Sequence, residues 1–142
     1  MNDENCIFCK IVKGEIPSSV IFKDDICMAF MDVYPITPGH CLLIPKRHFV
    51  NLFDVDPEVL AHMAKRLIDL TRGVSEATGA DGVLTVNANG EGAGQEVPHL
   101  HFHAIPRNKG DPFGFKFPPG YRESMATRDE LDKIAKRIHE SI

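Results

Sequence analysis

The sequence lacks an excess of basic residues and lacks any long apolar segment. Sixteen Lys and Arg against twenty Asp and Glu leave a formal net charge of −4 at neutral pH. Because the chain has no excess of positive charge, we expect no nucleic-acid binding. A small ligand with a single phosphate group can still bind, since it needs only a few donors at one site. No apolar run reaches the ~20 residues of a membrane-spanning helix, so we expect no membrane partner. Residues 1–4 are polar and lack the apolar core of a secretory signal, which predicts a cytoplasmic protein.

Cysteine is also scarce, with four residues in the whole chain. Cys6 and Cys9 are three positions apart, a spacing found in metal sites, in redox pairs and in pairs of buried thiols, and the spacing alone leaves these alternatives open. Cys27 and Cys41 stand among apolar neighbours and are predicted to be small core residues.

The chain of 142 residues has an ordinary globular composition, with 43% hydrophobic and 25% charged residues. We predict a single domain over residues 1–142. Asp56 followed by Pro57 is a helix start, and apolar residues at helical spacing then predict one long helix over Pro57–Thr78. Thr127 and Glu130 form a capping box that predicts a helix at the end of the chain.

Short segments rich in β-forming residues predict about five strands, which do not alternate regularly with helices. These segments are residues 20–22, 26–31, 41–45, 83–86 and 99–105. Residues 23–25 read as the turn of a hairpin. The pattern favours an α+β fold with a mostly antiparallel sheet, one long helix and two lesser helices.

The last of these segments alternates three histidines with apolar residues. On a strand, His99, His101 and His103 would share one face and stand about 6.5–7 Å apart. Imidazoles beside an apolar face need partners. The pattern therefore indicates a metal site, an anion site or both, with a merely polar strand face as the alternative.

A glycine-rich loop over residues 87–95 precedes these histidines. Glycines let backbone N–H groups approach an oxyanion closely. Such a loop alone is weak evidence, but its position directly before three aligned histidines predicts a phosphate-binding site.

The segment His99-Leu-His-Phe-His-Ala-Ile resembles the signature of the histidine triad (HIT) family. Residues 30–32 and 38–46 are also similar to this family, and the turn at residues 14–17 is similar to its bacterial Hint-like branch. The resemblance covers roughly residues 6–106. It implies a five-stranded antiparallel sheet with helices, in a homodimer whose two sheets join.

The resemblance further implies an enzyme that hydrolyses or transfers at the α-phosphate of purine nucleotides. The substrate would be a nucleoside phosphoramidate or a dinucleoside polyphosphate. His101 would be the nucleophile that forms a nucleotidyl-imidazole intermediate, His103 would hydrogen-bond the phosphate, and His99 would complete the triad. Asp32 would bind the ribose hydroxyls. The base would lie among Phe30, Val33 and Ile16, and the phosphate would meet backbone groups of Gly94, Gln95 and Glu96.

Some members of this family carry a structural zinc, which the catalytic step does not require. The resemblance places its ligands at Cys6, Cys9, His48 and His99, a Cys₂His₂ set that suits closed tetrahedral zinc sites. Such a site would tie the N-terminal segment to the sheet. The alternative is two buried thiols with His48 capping a strand.

One position departs from the family pattern. An amide side chain is expected eleven residues before His99, and the chain has Ala88 there, between Asn87 and Asn89. Either asparagine could substitute, and both are candidate substrate-binding residues. If neither does, the protein could be a zinc-stabilised, nucleotide-binding dimer with weak or no turnover. A third hypothesis is a metal-dependent enzyme with all three triad histidines on the metal.

Overall fold

A computed structural model describes residues 3–142 of the chain. They form two compact units, the first ending at Asp111 and the second spanning Pro112–Ile142. The first unit contains the sheet and two helices, and the second contains the C-terminal helix. The interpretation of residues 1–142 as one domain stays a prediction.

The first unit is built on a five-stranded antiparallel sheet, which confirms the predicted α+β class. The strands are β1 (Val20–Lys23), β2 (Cys27–Met31), β3 (Cys41–Pro45), β4 (Gly82–Val86) and β5 (Phe102–Arg107). Their order across the sheet is β1-β2-β3-β5-β4, so that β5 lies between β3 and β4. A hairpin turn joins β1 to β2 as expected, but it spans residues 24–26 instead of 23–25, because Lys23 still pairs with Met28.

Local sequence signals set the ends of the three helices. The short helix α1 (Ile7–Lys13) begins after Cys6 and ends at Gly14, whose φ of 79° is left-handed. The long helix α2 (Pro57–Thr78) has the predicted bounds, with Asp56 as its N-cap. Helix α3 (Arg128–His139) begins with the predicted capping box. Within residues 3–142, none of the helices combines the length and apolar character that a membrane crossing requires.

Two apolar clusters contain buried residues of the same strands. The larger cluster combines α2 residues such as Met63 and Leu70 with β-strand residues that include Cys27, Cys41 and Ala104. Both cysteines have no exposed surface, which confirms that they are core residues. The smaller cluster combines Phe8 and Cys9 of α1 with Met28, Phe30, Leu42 and Ile44 of β2 and β3.

The histidine segment only partly forms the predicted strand. Hydrogen-bonded pairing of β5 begins at Phe102, so His99 and His101 precede the strand and only His103 lies in it. Extending the β3 register past Leu43–Phe102 would bring Leu100 opposite Pro45, which has no backbone N–H to donate. The predicted alternation still holds for packing, because Leu100, Phe102 and Ala104 all contact the larger cluster.

Candidate functional site

His101 is a buried imidazole whose ring orientation is fixed by its own main chain. Its Nδ1 lies 2.7 Å from the carbonyl oxygen of His99, and the residue is 7% exposed. A carbonyl oxygen only accepts hydrogen bonds, so the neutral ring carries its proton on Nδ1. The lone pair on Nε2 is therefore free, which is the state that a nucleophilic imidazole needs.

The surroundings of His101 favour this neutral state. Burial lowers the pKa of His101, against opposing effects of its bond to His99 and of the carboxylates of Asp32 and Glu96. Its ring also packs edge-on against Phe8, with 5.2 Å between ring centroids. Burial thus outweighs the nearby carboxylates and disfavours the imidazolium form of His101.

His103 follows in β5 and contacts a histidine that the sequence analysis did not predict. The ring centroids of His101 and His103 are 5.0 Å apart. Nδ1 of His103 lies 2.9 Å from Nε2 of His40, which is 2% exposed. Burial, followed by the neighbouring His101 and His40, lowers the pKa of His103 to about 4. His40 therefore belongs to the site, and its only sequence signal was its place in a segment similar to the family.

The residues predicted around ribose and base lie at the end of β2 and beside α1. Asp32 directly follows β2, and its carboxylate is 3.6 Å from Nε2 of His40 and accepts a hydrogen bond from the N–H of Tyr34. Val33 is exposed, Phe30 is buried in the smaller cluster, and Ile16 lines a cavity beside α1. The structure thus brings Asp32 to the histidines, while little of the Phe30 side chain is accessible.

The glycine-rich loop is held by the side chain of Gln95. Its Oε1 accepts hydrogen bonds from the N–H of Gly90 and the amide of Asn51. Its Nε2 donates to the carbonyl oxygens of Val50 and Val97. All four bonds are within the protein, so the Gln95 side chain shapes the loop and leaves ligand contacts to the backbone.

The loop also contains positions that favour glycine. Gly90 and Gly94 have φ values of 95° and 90°, a region that L side chains rarely adopt, and they flank a 3₁₀ turn over Glu91–Ala93. Glu96, which follows the loop, is exposed. The two asparagines that flank Ala88 have partners in the protein, since Asn87 donates to the carbonyl oxygen of His101 and Asn89 donates to Asn87.

A second group of side chains lies where α1 meets the start of the histidine segment. The ligand atoms of Cys6, Cys9, His48 and His99 all lie within 4.8 Å of one another. Nδ1 of His99 is 3.3 Å from Sγ of Cys6, 3.5 Å from Sγ of Cys9 and 3.2 Å from Nδ1 of His48. Sγ of Cys9 is 3.4 Å from Nδ1 of His48.

These distances match a tetrahedral zinc site. Zinc–sulfur bonds of about 2.3 Å and zinc–nitrogen bonds of about 2.0–2.1 Å place neighbouring ligand atoms about 3.3–3.8 Å apart. Nε2 of His99 lies 2.9 Å from the carbonyl oxygen of Pro45, so its proton is on Nε2 and the Nδ1 lone pair faces the cluster. The backbone N–H of Cys9 donates to the sulfur of Cys6. The residues predicted to bind zinc are therefore together and correctly oriented for it.

The three triad histidines do not share one metal site. Nδ1 of His99 faces the cysteines, Nδ1 of His101 donates to a carbonyl oxygen, and Nδ1 of His103 pairs with His40. Among residues 3–142, no group of potential metal ligands contains all three. The hypothesis of a tri-histidine metal centre therefore has no support in this geometry.

Fold and site together define a histidine triad on a five-stranded antiparallel sheet, beside a glycine-rich loop and a Cys₂His₂ cluster. The HIT domain matches residues 13–110, so the chain belongs to the HIT family. It is 43% identical over 112 residues to the protein hit of Bacillus subtilis, covering 78% of this chain and 77% of that protein. It is 38% identical over 107 residues to adenylylsulfatase HINT3 of Arabidopsis thaliana, covering 75% of this chain and 54% of that protein.

Solved structures of the family are similar over most of the chain. A HIT family member from Bacillus subtilis has a TM-score of 0.89 at 36% identity and 98% coverage of both chains. A histidine triad nucleotide-binding protein from Candida albicans has a TM-score of 0.82 at 32% identity and 96% coverage of both. A zinc-bound histidine triad protein from Mycobacterium smegmatis has a TM-score of 0.73 at 38% identity, covering 84% of this chain and 86% of that one.

Proposed function

We propose that this protein is a nucleotide hydrolase or nucleotidyl transferase that acts at the α-phosphate of purine nucleotides. His101 is the nucleophile, and the substrate is a nucleoside phosphoramidate or a dinucleoside polyphosphate. The observation that carries the proposal is the 2.7 Å contact between Nδ1 of His101 and the carbonyl oxygen of His99. It gives a buried neutral imidazole one free lone pair, on Nε2.

In the proposed first step, Nε2 of His101 attacks the α-phosphorus and forms a phosphorus–nitrogen bond. The leaving group departs with the electrons of its bond to phosphorus and takes one proton from water. The ring becomes positively charged, and the carbonyl oxygen of His99 stabilises that charge through the proton on Nδ1. The hydroxide left by that protonation then attacks the phosphorus of the nucleotidyl-imidazole and breaks the phosphorus–nitrogen bond, which releases the nucleoside monophosphate and restores neutral His101.

The other residues bind and orient the substrate. His103 donates a hydrogen bond to a phosphate oxygen, and backbone N–H groups of Gly94, Gln95 and Glu96 offset the charge on the phosphoryl oxygens. Asp32 accepts hydrogen bonds from the ribose hydroxyls, with Val33 and Ile16 towards the base. The similarity to a nucleotide-binding protein and to an adenylylsulfatase supports an adenylyl-type substrate.

We also propose a structural zinc at Cys6, Cys9, His48 and His99, supported by the ligand geometry and by the zinc-bound relative. When bound, zinc would supply a cross-link and no catalytic chemistry. It would fix the ring of His99, whose carbonyl oxygen holds His101.

A homodimer with joined sheets is a further part of the proposal. β4 stands at one edge of the sheet, and in the proposed dimer this edge would pair with that of a second chain.

A nucleotide-binding protein without turnover is the second candidate. The observation that favours it is Ala88, together with the engagement of both flanking asparagines within the protein. In that case no amide side chain from this part of the loop would bind the phosphate.

A fluorogenic adenosine phosphoramidate separates the two candidates. We expect His101→Ala and His101→Gly to abolish turnover while AMP still binds in calorimetry, and the exposed His139→Ala to behave as wild type. Product formation by both His101 variants at the wild-type rate would refute the assignment of the nucleophile. Saturable binding without product by the wild-type protein would support the binding protein.

A further inference from the structure

The Asn87 side chain bonds to the main chain just before β5, beyond the last main-chain pair between β4 and β5. The last residue pair between β4 and β5 joins Val86 to His103. One residue beyond β4, the Asn87 amide donates a hydrogen bond of 3.0 Å to the carbonyl oxygen of His101. A side chain thus holds the main chain of His101 at the point where neighbouring strands no longer do so.

The orientation of the Asn87 amide follows from two further hydrogen bonds. The backbone N–H of Leu52 donates to Oδ1 of Asn89 at 2.9 Å, and Nδ2 of Asn89 donates to Oδ1 of Asn87 at 2.7 Å. Leu52 N–H can only donate, and the carbonyl oxygen of His101 can only accept. These fixed ends determine which atom of each amide is oxygen and which is nitrogen.

His101 is therefore held from two sides. Its ring donates to the carbonyl oxygen of His99, and its own carbonyl oxygen accepts from Asn87. The second bond links the histidine segment to the 50–54 loop through Asn89 and Leu52. Loss of the Asn87 amide would let the peptide after His101 rotate and would leave that carbonyl oxygen without this partner.

We infer that Asn87 is a positioning residue for His101 and that Asn89 orients Asn87, so that the asparagines flanking Ala88 hold the nucleophile in place rather than bind the ligand. This inference rests on the proposed function, in which Nε2 of His101 attacks phosphorus. It gives these two side chains a role in the rate of the chemical step and none in the affinity for nucleotide.

The chain offers a matched control at the opposite end of the same strand pair. There the side-chain oxygen of Asn108, next to β5, accepts a hydrogen bond from the N–H of Asp81, next to β4. Asn87→Ala and Asn108→Ala each remove one bond between a side chain and the main chain near these two strands. Only Asn87 contacts the residue that carries the proposed nucleophile.

The test measures rapid-quench formation of the covalent nucleotidyl-imidazole from an adenosine phosphoramidate, together with the Kd of AMP. For Asn87→Ala we expect about a tenfold to hundredfold slower formation of the intermediate, the scale expected when a reacting group is misplaced, with unchanged AMP affinity. Asn89→Ala should slow the step less and should add nothing to Asn87→Ala, because it acts through Asn87. Asn108→Ala should form the intermediate at the wild-type rate.

A second readout does not depend on activity. Long-range ¹H–¹⁵N spectra of the histidine rings report which nitrogen of His101 carries the proton. We expect the Nδ1–H form in the wild type and in Asn108→Ala, and a mixture of forms in Asn87→Ala.

An Asn87→Ala protein that retains both the wild-type rate and the Nδ1–H form would overturn the inference, as would equal slowing by Asn108→Ala. If the wild type forms no covalent intermediate, the proposed function fails instead, and the ring spectra then decide whether Asn87 positions His101.

Discussion

Nε2 of His40 lies 2.9 Å from Nδ1 of His103, and this contact determines which nitrogen of His103 faces outward as a donor. The N–H of Ile36 donates to Nδ1 of His40 at 3.1 Å, so the proton of neutral His40 is on Nε2. Burial lowers the pKa of His40, which keeps it neutral. Nε2 of His40 then donates to Nδ1 of His103, whose own proton is left on Nε2, the atom that the proposed phosphate contact requires as a donor.

Replacement of His40 by Phe would remove this donor while retaining a buried ring. We expect kcat to fall about tenfold to a hundredfold, because hydrogen bonds to charged groups contribute about 1.5–3 kcal/mol. His40→Gln keeps an amide N–H and should recover part of the loss. Steady-state kinetics with ¹⁵N spectra of the His103 ring would check both effects, and a wild-type kcat for His40→Phe would contradict this role.

The Cys₂His₂ cluster predicts that the purified protein binds one zinc ion per chain. Native mass spectrometry should detect this ion in the wild type and in Cys41→Ser, whose thiol belongs to no group of potential metal ligands among residues 3–142. Cys9→Ser should lose it, because closed zinc sites use four protein ligands. Removal of zinc with a chelator should lower the Tm of the wild type and leave that of Cys9→Ser unchanged. A metal-free wild type with the same Tm would refute the site.

Asp24 in the hairpin turn between β1 and β2 predicts a pH-dependent contribution to stability. Its carboxylate accepts from the N–H of Cys27 and lies 2.8 Å from Nε2 of His62 and 3.3 Å from Nε of Arg66. Burial opposes ionisation, but the hydrogen bonds from Cys27 and His62 lower the pKa of Asp24 well below its ordinary value. The contribution is therefore complete above the pKa of the unfolded chain and is lost as the pH falls below about 4.

We expect Asp24→Asn to reduce the free energy of unfolding by about 1–3 kcal/mol at pH 7, and by progressively less below about pH 4. Urea unfolding at several pH values would measure this difference. The neighbouring, exposed Asp25→Asn is the control and should change little. A difference that is constant from pH 7 to pH 2 would show that ionised Asp24 is not its source.

Replacement by Ala is expected to lower the stability of the protein at Gly39 and to raise it at Gly73. Gly39 has a φ of 102°, and an added Cβ would lie 2.7 Å from Cγ2 of Thr78 and 3.2 Å from Cγ of Pro106. We expect Gly39→Ala to destabilise the protein by at least about 2 kcal/mol, from backbone strain and overpacking. Gly73 lies in α2 with open space around it, so Gly73→Ala should stabilise by about 0.5–1 kcal/mol. Thermal unfolding would measure the Tm of both variants. A change of Tm in the same direction for Gly39→Ala and Gly73→Ala would contradict these predictions.

Features set by neighbours in sequence were predicted well. The bounds of α2 follow from Asp56, Pro57 and the helical spacing of apolar residues, and all of these signals lie within the helix or directly beside it. The capping box of α3 needs only Thr127 and Glu130. Such signals act over a few residues, so the sequence displays them directly.

Features that depend on distant contacts were predicted less well. The start of β5 at Phe102 depends on how β3 and β4 end, and the role of His40 depends on its approach to His103, 63 residues away. The hydrogen bond from the Gln95 side chain to the carbonyl oxygen of Val50 likewise joins residues 45 positions apart. Periodicity reports which way a side chain points, but it carries no information on the partner that the fold brings to it.

The candidate zinc ligands could likewise be predicted only in part from the residues themselves. Cys6 and Cys9 are visible as a pair, whereas His48 and His99 are far from them in sequence. The spacing therefore left several alternatives open, and the complete set came from the family resemblance. The fold brings all four together because α1 packs beside the end of β3 and the start of the histidine segment.

The apolar residues of the histidine segment, Leu100, Phe102 and Ala104, determine which way the three histidines face. Leu100 and Ala104 have no exposed surface, and they anchor the segment in the larger apolar cluster. A slip of the chain by a single position would push imidazoles into hydrocarbon and turn a leucine towards water. The packing of Leu100 and Ala104 on one side of the segment therefore fixes the side on which His101 and His103 lie.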